Sequence, residues 1–177
     1  MENSRRQFLT KSIKSAALLG TGATFIGTLI EPVAVMAQPG SSDASYRAKI
    51  AMLGTASLQT SQLALTKATN PQVKLFAKFE AAEQQTIGSI LKDMGTPDTA
   101  PDAEGKALFA KLQGLSGSAF DKAFMQGQVQ THQKLHSVVT AYKNASKDMH
   151  VKHLTSLALA TIEEHTERGQ MLVKQLA

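Results

Sequence analysis

Four stretches of 24 to 29 residues carry apolar or small side chains at every third or fourth position, and no proline interrupts any of them beyond its first turn. That spacing follows the 3.6-residue helical period, and such a stripe must be buried against another helix. The stretches are residues 45–68, 71–94, 118–145 and 148–176, the first with a stripe of Ile50, Leu53, Ser57, Ser61, Ala64, Leu65 and Ala68. No run alternates strictly enough for a strand. Hydrophobic residues make up 42% of the chain, enough for a core, while aromatics make up only 5% and tryptophan is absent. Closely packed helices suit that composition better than a β-sandwich does.

The breaks between stretches carry their own signals. Asn70 is placed to cap the second helix, and Pro71 fits its first turn. Gly95 is placed to end it. Residues 96–105 are rich in Pro, Asp and Gly and read as a loop. Leu108, Leu112 and Leu115 follow at spacings of four and three, which predicts a short helix lying across the others. Ser118 and Asp121 resemble a capping box, with Asp in the place of Glu or Gln. Asp148 heads the last helix. The first and last long pairs are joined by very short links and must be antiparallel hairpins. The expected fold is all-α: an up-down-up-down four-helix bundle with a short extra helix between helices two and three.

The N-terminus reads SRRQFLTKS. Arg5 and Arg6 followed by Phe8 and Leu9 resemble a twin-arginine translocation signal, with Thr10 where lysine is favoured and Lys11 one step late. The uncharged run from Ser15 to Ile30 contains Gly20, Gly22 and Gly27. Its 16 residues fall short of the roughly 20 needed to span a bilayer. VAVMA offers cleavage after Ala37. The expected organisation is a signal peptide at 1–37, a linker at 38–44 and the bundle at 45–177. The expected address is periplasmic or otherwise exported, with no stable membrane insertion once the signal is removed. Substrates of this route cross folded. A cofactor inserted beforehand accounts for that, and so does the fast folding of a low-contact-order bundle.

The chain has no cysteine, which excludes disulfides and thiolate metal sites. Its formal charge is +5; without residues 1–37 it holds 15 basic and 12 acidic residues, a net +3. The lysines are scattered and no aromatics are interleaved with them, so nucleic acid is not an expected partner. No Gly-rich phosphate loop, serine nucleophile elbow or His-Glu-x-x-His occurs, and no catalytic residue is assigned.

The chemistry lies where polar residues interrupt the apolar stripes. On the second helix, Val73, Phe76, Ile87, Ile90 and Met94 form a stripe that passes through Glu80 and Glu83, with Gln84 beside them. His132 is midway along the third stripe, among Phe120, Phe124, Gln128, Leu135, Val139 and Tyr142. His165 is midway along the fourth, between Ile162 and Gly169. Antiparallel helices can bring two glutamates and two imidazoles to one level. A buried carboxylate there needs an imidazolium or a metal beside it.

A ferritin-like di-metal site takes glutamates from two helices and a Glu-x-x-His from each of the other two. Residues 45–68 contain no Asp or Glu, Val129 stands three before His132 and Ile162 three before His165. The full di-iron set is therefore absent. A single divalent ion on Glu80, Glu83, His132 and His165 is chemically sound. The competing expectation, weighted above it, is a hydrogen-bonded polar layer that fixes helix register. His136, His150 and His153 are expected at the surface, as are Glu163, Glu164 and Glu167.

ATNPQVKLFAKFEAAEQQTI, SGSAFDKAFMQGQVQTHQKLHSV and EEHTERGQML resemble the domain-of-unknown-function family 4142, over roughly residues 45–176. The resemblance implies a ferritin-like helical bundle exported by bacteria. It places the family's FD…Q…H pattern on Phe120, Asp121, Gln128 and His132, and its late histidine on His165. Many members carry an Asp-Asp-His or similar near the middle of helix two, where this chain has Glu83 and Gln84 preceded by Glu80. The family has no assigned activity. Two functional expectations follow: a non-catalytic binding or interaction module with a buried Glu/His layer, or a protein of metal handling or oxidative stress.

Overall fold

The structure, a computed structural model, describes residues 41–176. Among them are five helices and no strand: α1 (Ser41–Lys67), α2 (Pro71–Asp93), α3 (Ala103–Gln113), α4 (Gly117–Ala145) and α5 (Met149–Gln175). The four long helices and the short α3 are those read from the stripes. α1 begins ahead of the expected Ser45, so residues 41–44 form its first turn rather than linker. The helix thereby gains one acid, Asp43. Arg5, Arg6, Phe8, Leu9 and Ala37 lie outside the described residues.

Local chemistry sets the helix ends. Asn70 Oδ1 accepts from the backbone N–H of Gln72 at 2.8 Å and of Val73 at 3.3 Å, and Pro71 opens α2 without wasting a donor. At the other end Gly95 takes a φ of +82°. Gly95 N then donates to Lys92 O and Thr96 N to Leu91 O, both at 2.9 Å, closing a Schellman motif that needs the glycine.

The expected capping box at Ser118 is not formed. The N-cap of α4 is Ser116, which makes no side-chain cap bond, and Ser118 stands inside the helix. Asp121 faces the α1–α2 turn instead. It accepts from Thr69 N at 3.0 Å, Thr69 Oγ1 at 2.6 Å and Asn70 N at 2.8 Å. A carboxylate with two backbone donors in reach does more by closing that turn than by capping its own helix.

α1 packs against α2, α3 and α4, and α4 packs against α3 and α5. Leu108 of α3 sits so close over Gly127 that a Cβ there would lie 2.6 Å from it. The helical bundle has two apolar clusters. One gathers Ala64, Val73, Phe76, Leu112, Phe120 and Phe124. The other gathers Ile50, Leu53, Leu91, Val139, Tyr142 and Ile162. On each long helix at least one buried polar residue falls between these two sets: Ser57, Thr60 and Ser61; Glu80 and Gln84; Gln128 and His132; His165. One stripe position was misplaced. Leu65 is exposed and Thr60 buried, because Thr60 satisfies its hydroxyl on Ala56 O at 2.9 Å and so tolerates the core. No helix among the described residues is long and apolar enough to cross a membrane.

Candidate metal centre

Three helices meet at the polar layer through Glu80, His132 and His165, which are 0%, 1% and 7% exposed. Each offers one donor atom, and these three atoms lie within 4.8 Å of one another. Glu80 Oε2 is 2.8 Å from His165 Nδ1 and 3.3 Å from His132 Nε2. Close as they are, Glu80 Oε2 and His165 Nδ1 are not aligned as a hydrogen bond, and both remain buried without a partner.

The outward atoms are held by the scaffold. Glu80 Oε1 accepts from Ser57 Oγ at 2.5 Å and Gln84 Nε2 at 3.0 Å. Ser57 Oγ is also 2.7 Å from Gln128 Oε1, but its single proton goes to the charged acceptor. Gln84 lies against the backbone of α1 because Gly54 leaves room; a Cβ at Gly54 would come within 2.7 Å of its Oε1. His132 Nδ1 is 2.8 Å from Gln128 O. A carbonyl only accepts, so Nδ1 carries the proton, and in the neutral ring Nε2 presents a lone pair to Glu80. His165 Nε2 is 3.4 Å from Glu164 Oε2 and 3.6 Å from Glu83 Oε2, which favours its proton on that side and a lone pair on Nδ1.

These groups lean on each other electrostatically. Burial opposes the ionised form of Glu80, yet the His132 and His165 contacts prevail and hold its carboxyl far below the usual carboxylate range. Burial opposes the His132 cation too, and the Glu80 carboxylate outweighs it, raising that imidazole above its ordinary value. Burial pushes the Glu83 carboxyl up, with the charges of Glu80 and Glu164 adding to it against His165 and His132.

Of the four residues expected in one layer, three converge and the fourth stands at the rim. Glu83 keeps 24% of its side chain exposed and faces His165 Nε2, not the inner donor atoms. Gln84 takes the buried place, since 80, 84 and 91 continue the face of Val73, Phe76 and Ala77. α1 supplies Ser57, Thr60 and Ser61 here rather than an acid, and Asp43 is whole turns away in its first turn. Ser57 and Ser61 read from sequence only as small stripe residues. Their signal was a hydroxyl at a stripe position level with Glu80, where an apolar side chain would pack better. His150, His153, Glu163, Glu164 and Glu167 are exposed. His136 is half-buried, with its ring 3.4 Å from Glu163.

Among curated proteins and among solved structures, no match was found. A family model does match, that of the domain of unknown function DUF4142, over residues 31–172. This span takes in the capped α2, the Asp121 clamp and all three converging side chains, and the chain belongs to the DUF4142 family.

Proposed function

We propose that this protein is an exported, ferritin-like, up-down-up-down bundle that binds one divalent transition-metal ion through Glu80, His132 and His165. The observation that carries this reading is how the atoms of the three side chains are divided. Glu80 Oε1 and His132 Nδ1 are hydrogen-bonded to the scaffold and His165 Nε2 faces carboxylates, while the inner atoms face one another. Ligating imidazoles and carboxylates are oriented in this way by outer partners. Ligands bound at roughly 2.1 Å stand about 3.0 Å apart at a right angle and about 3.4 Å apart at the tetrahedral angle. The separations of 2.8 and 3.3 Å match such edges. Two imidazoles and one carboxylate suit ferrous iron or zinc and leave positions open for water. Glu83 stands beside this set as a rim carboxylate. The twin-arginine motif at Arg5, Arg6, Phe8 and Leu9, with cleavage after Ala37, supports export in the folded state.

The second reading is a metal-free polar layer in a non-catalytic binding or interaction module. The mutual stabilisation of the Glu80 carboxylate and the His132 cation favours it. One experiment separates the two. The folded protein is loaded with Fe(II), Mn(II) and Zn(II) in turn, desalted and analysed for metal. The metal reading expects one ion per chain, released by Glu80→Gln and by His165→Gln. No retained metal under any loading leaves the polar-layer reading standing. N-terminal sequencing of the protein recovered after export tests the address, with Gln38 as the expected first residue.

A further inference from the structure

Gln84 divides its amide between two neighbours. Nε2 donates to Glu80 Oε1 in the polar layer, while Oε1 turns to Gly54 on α1, 2.7 Å from where a Cβ would stand. Gln84 is 6% exposed, and its Oε1 accepts no hydrogen bond among the described residues. An amide oxygen so far from bulk water wants a donor. Gln84 and Gly54 both line a pocket of about 370 Å³ between α1, α2 and the turn at 96–99. Gly88 on α2 lines it too, and a Cβ there would meet nothing within 4 Å.

Thr96 is the second buried polar residue on this wall, also 6% exposed. Its Oγ1 accepts from Arg47 Nε at 3.2 Å, and its own proton has no acceptor among the described residues. That hydroxyl is therefore a donor, strengthened by the cation behind it. Gln84 and Leu91 stand two turns apart on α2, about 10 Å along its axis. Thr96 folds back onto Leu91 through its N–H, at 2.9 Å from Leu91 O. The pocket thus offers an acceptor at one end and a donor at the other. Ile50, Leu58, Ile87, Leu91 and Pro97 give it apolar walls. Its two charged lining residues, Lys92 and Asp98, are exposed and pair with each other at 3.5 Å.

We propose that this pocket binds a neutral phenol with a carbonyl group at the opposite end of the molecule. The phenol hydroxyl donates to Gln84 Oε1, and the carbonyl takes the Thr96 proton. Charge sets the class: the lining acid and base neutralise each other, so a neutral ligand loses least on leaving water. Size sets the scale. A cavity of about 150 Å³ holds benzene, so 370 Å³ takes a ring with a substituent at each end, about ten non-hydrogen atoms. Rigidity favours the ring over a chain, because it holds donor and acceptor apart with less freedom to lose.

Calorimetric titration of the folded protein, stripped of metal with a chelator, tests the proposal with 4-hydroxyphenylacetamide as the probe. Phenylacetamide lacks the donor and 4-ethylphenol lacks the carbonyl, and each should bind about tenfold more weakly than the probe. Gly88→Leu places a side chain in the pocket where a Cβ meets nothing, and should weaken the probe by about tenfold or more. Thr96→Val should weaken the probe about tenfold and leave 4-ethylphenol unmoved. If Thr96→Val fails to fold because Arg47 loses its acceptor, the ligand series and Gly88→Leu carry the test. Phenylacetamide binding as tightly as the probe overturns the proposal, as does an unchanged affinity in Gly88→Leu or no binding of the probe at all. Binding only when metal is present also overturns it, since the phenol then sits on the metal. The chelated protein makes each result independent of whether the metal reading holds.

Discussion

Two carboxylates are buried in this bundle, and they are buried differently. Asp121 is 1% exposed and its oxygens accept from Thr69 N, Thr69 Oγ1 and Asn70 N, all donors of one turn. Glu80 is 0% exposed, and one of its oxygens is treated the same way by Ser57 and Gln84. Its other oxygen faces two imidazole nitrogens and is left without a hydrogen bond. Burial of an acid therefore does not mark a site. What marks it is an oxygen the scaffold leaves free, opposite other atoms left free in the same space.

Substitutions should separate the two. The largest effect is expected from Asp121→Ala, which leaves the turn's donors without their acceptor and should lower stability by about 3 kcal/mol, read by urea unfolding. Its metal stoichiometry should stay at the wild-type value. Glu80→Gln should do the reverse, weakening metal binding about a hundredfold or more, read by competition with a chromophoric chelator. Loading wild type with metal at about a hundred times its Kd should add about 2.7 kcal/mol. That gain should persist in Asp121→Ala and vanish in Glu80→Gln. Ser57→Ala touches only the outer oxygen and should weaken metal about tenfold.

The smallest effect sharpens the same comparison through pH, in chelated protein. Glu80 has its folded pKa lowered, so its contribution is present above the ordinary carboxylate value of 4.5 and declines as pH falls below that. His132 has its folded pKa raised, so its contribution is full below the ordinary 6.5 and is lost as pH rises through the higher folded value. The pair therefore supports the fold most between pH 4.5 and 6.5. Thermal melts across pH 5 to 8.5 should show wild type losing stability on the alkaline side, and His132→Gln should lose that slope. An unchanged slope in His132→Gln would break the assignment of the imidazolium to His132.

The helices were legible because their signals are local. Asn70 and Pro71 begin α2 and Gly95 ends it for reasons contained within a few residues. The polar interruptions at Glu80, His132 and His165 were legible too, since each falls at helical spacing inside an apolar stripe. The partners were not. Ser118 and Asp121 had the spacing of a capping box, but the stronger donors for Asp121 come from a turn about fifty residues earlier in the chain. Glu83 and Gln84 are adjacent, and the stripe alone did not show which would turn inward; Gly54 on α1, by leaving space for Gln84, decides it.

By itself, then, the sequence determined an all-helical chain, its breaks, and which side chains interrupt the core, because helical period and capping depend on neighbours in the chain. Tertiary structure decided which atoms of those side chains meet. Glu80 Oε1 goes to Ser57 and Oε2 to the two histidines because three other helices present their groups from different sides. The same holds for Arg47, whose hydroxyl partners lie 49 and 95 residues away. Such pairings depend on how the helices rotate and pack against one another, and helical period along a single segment carries no record of that.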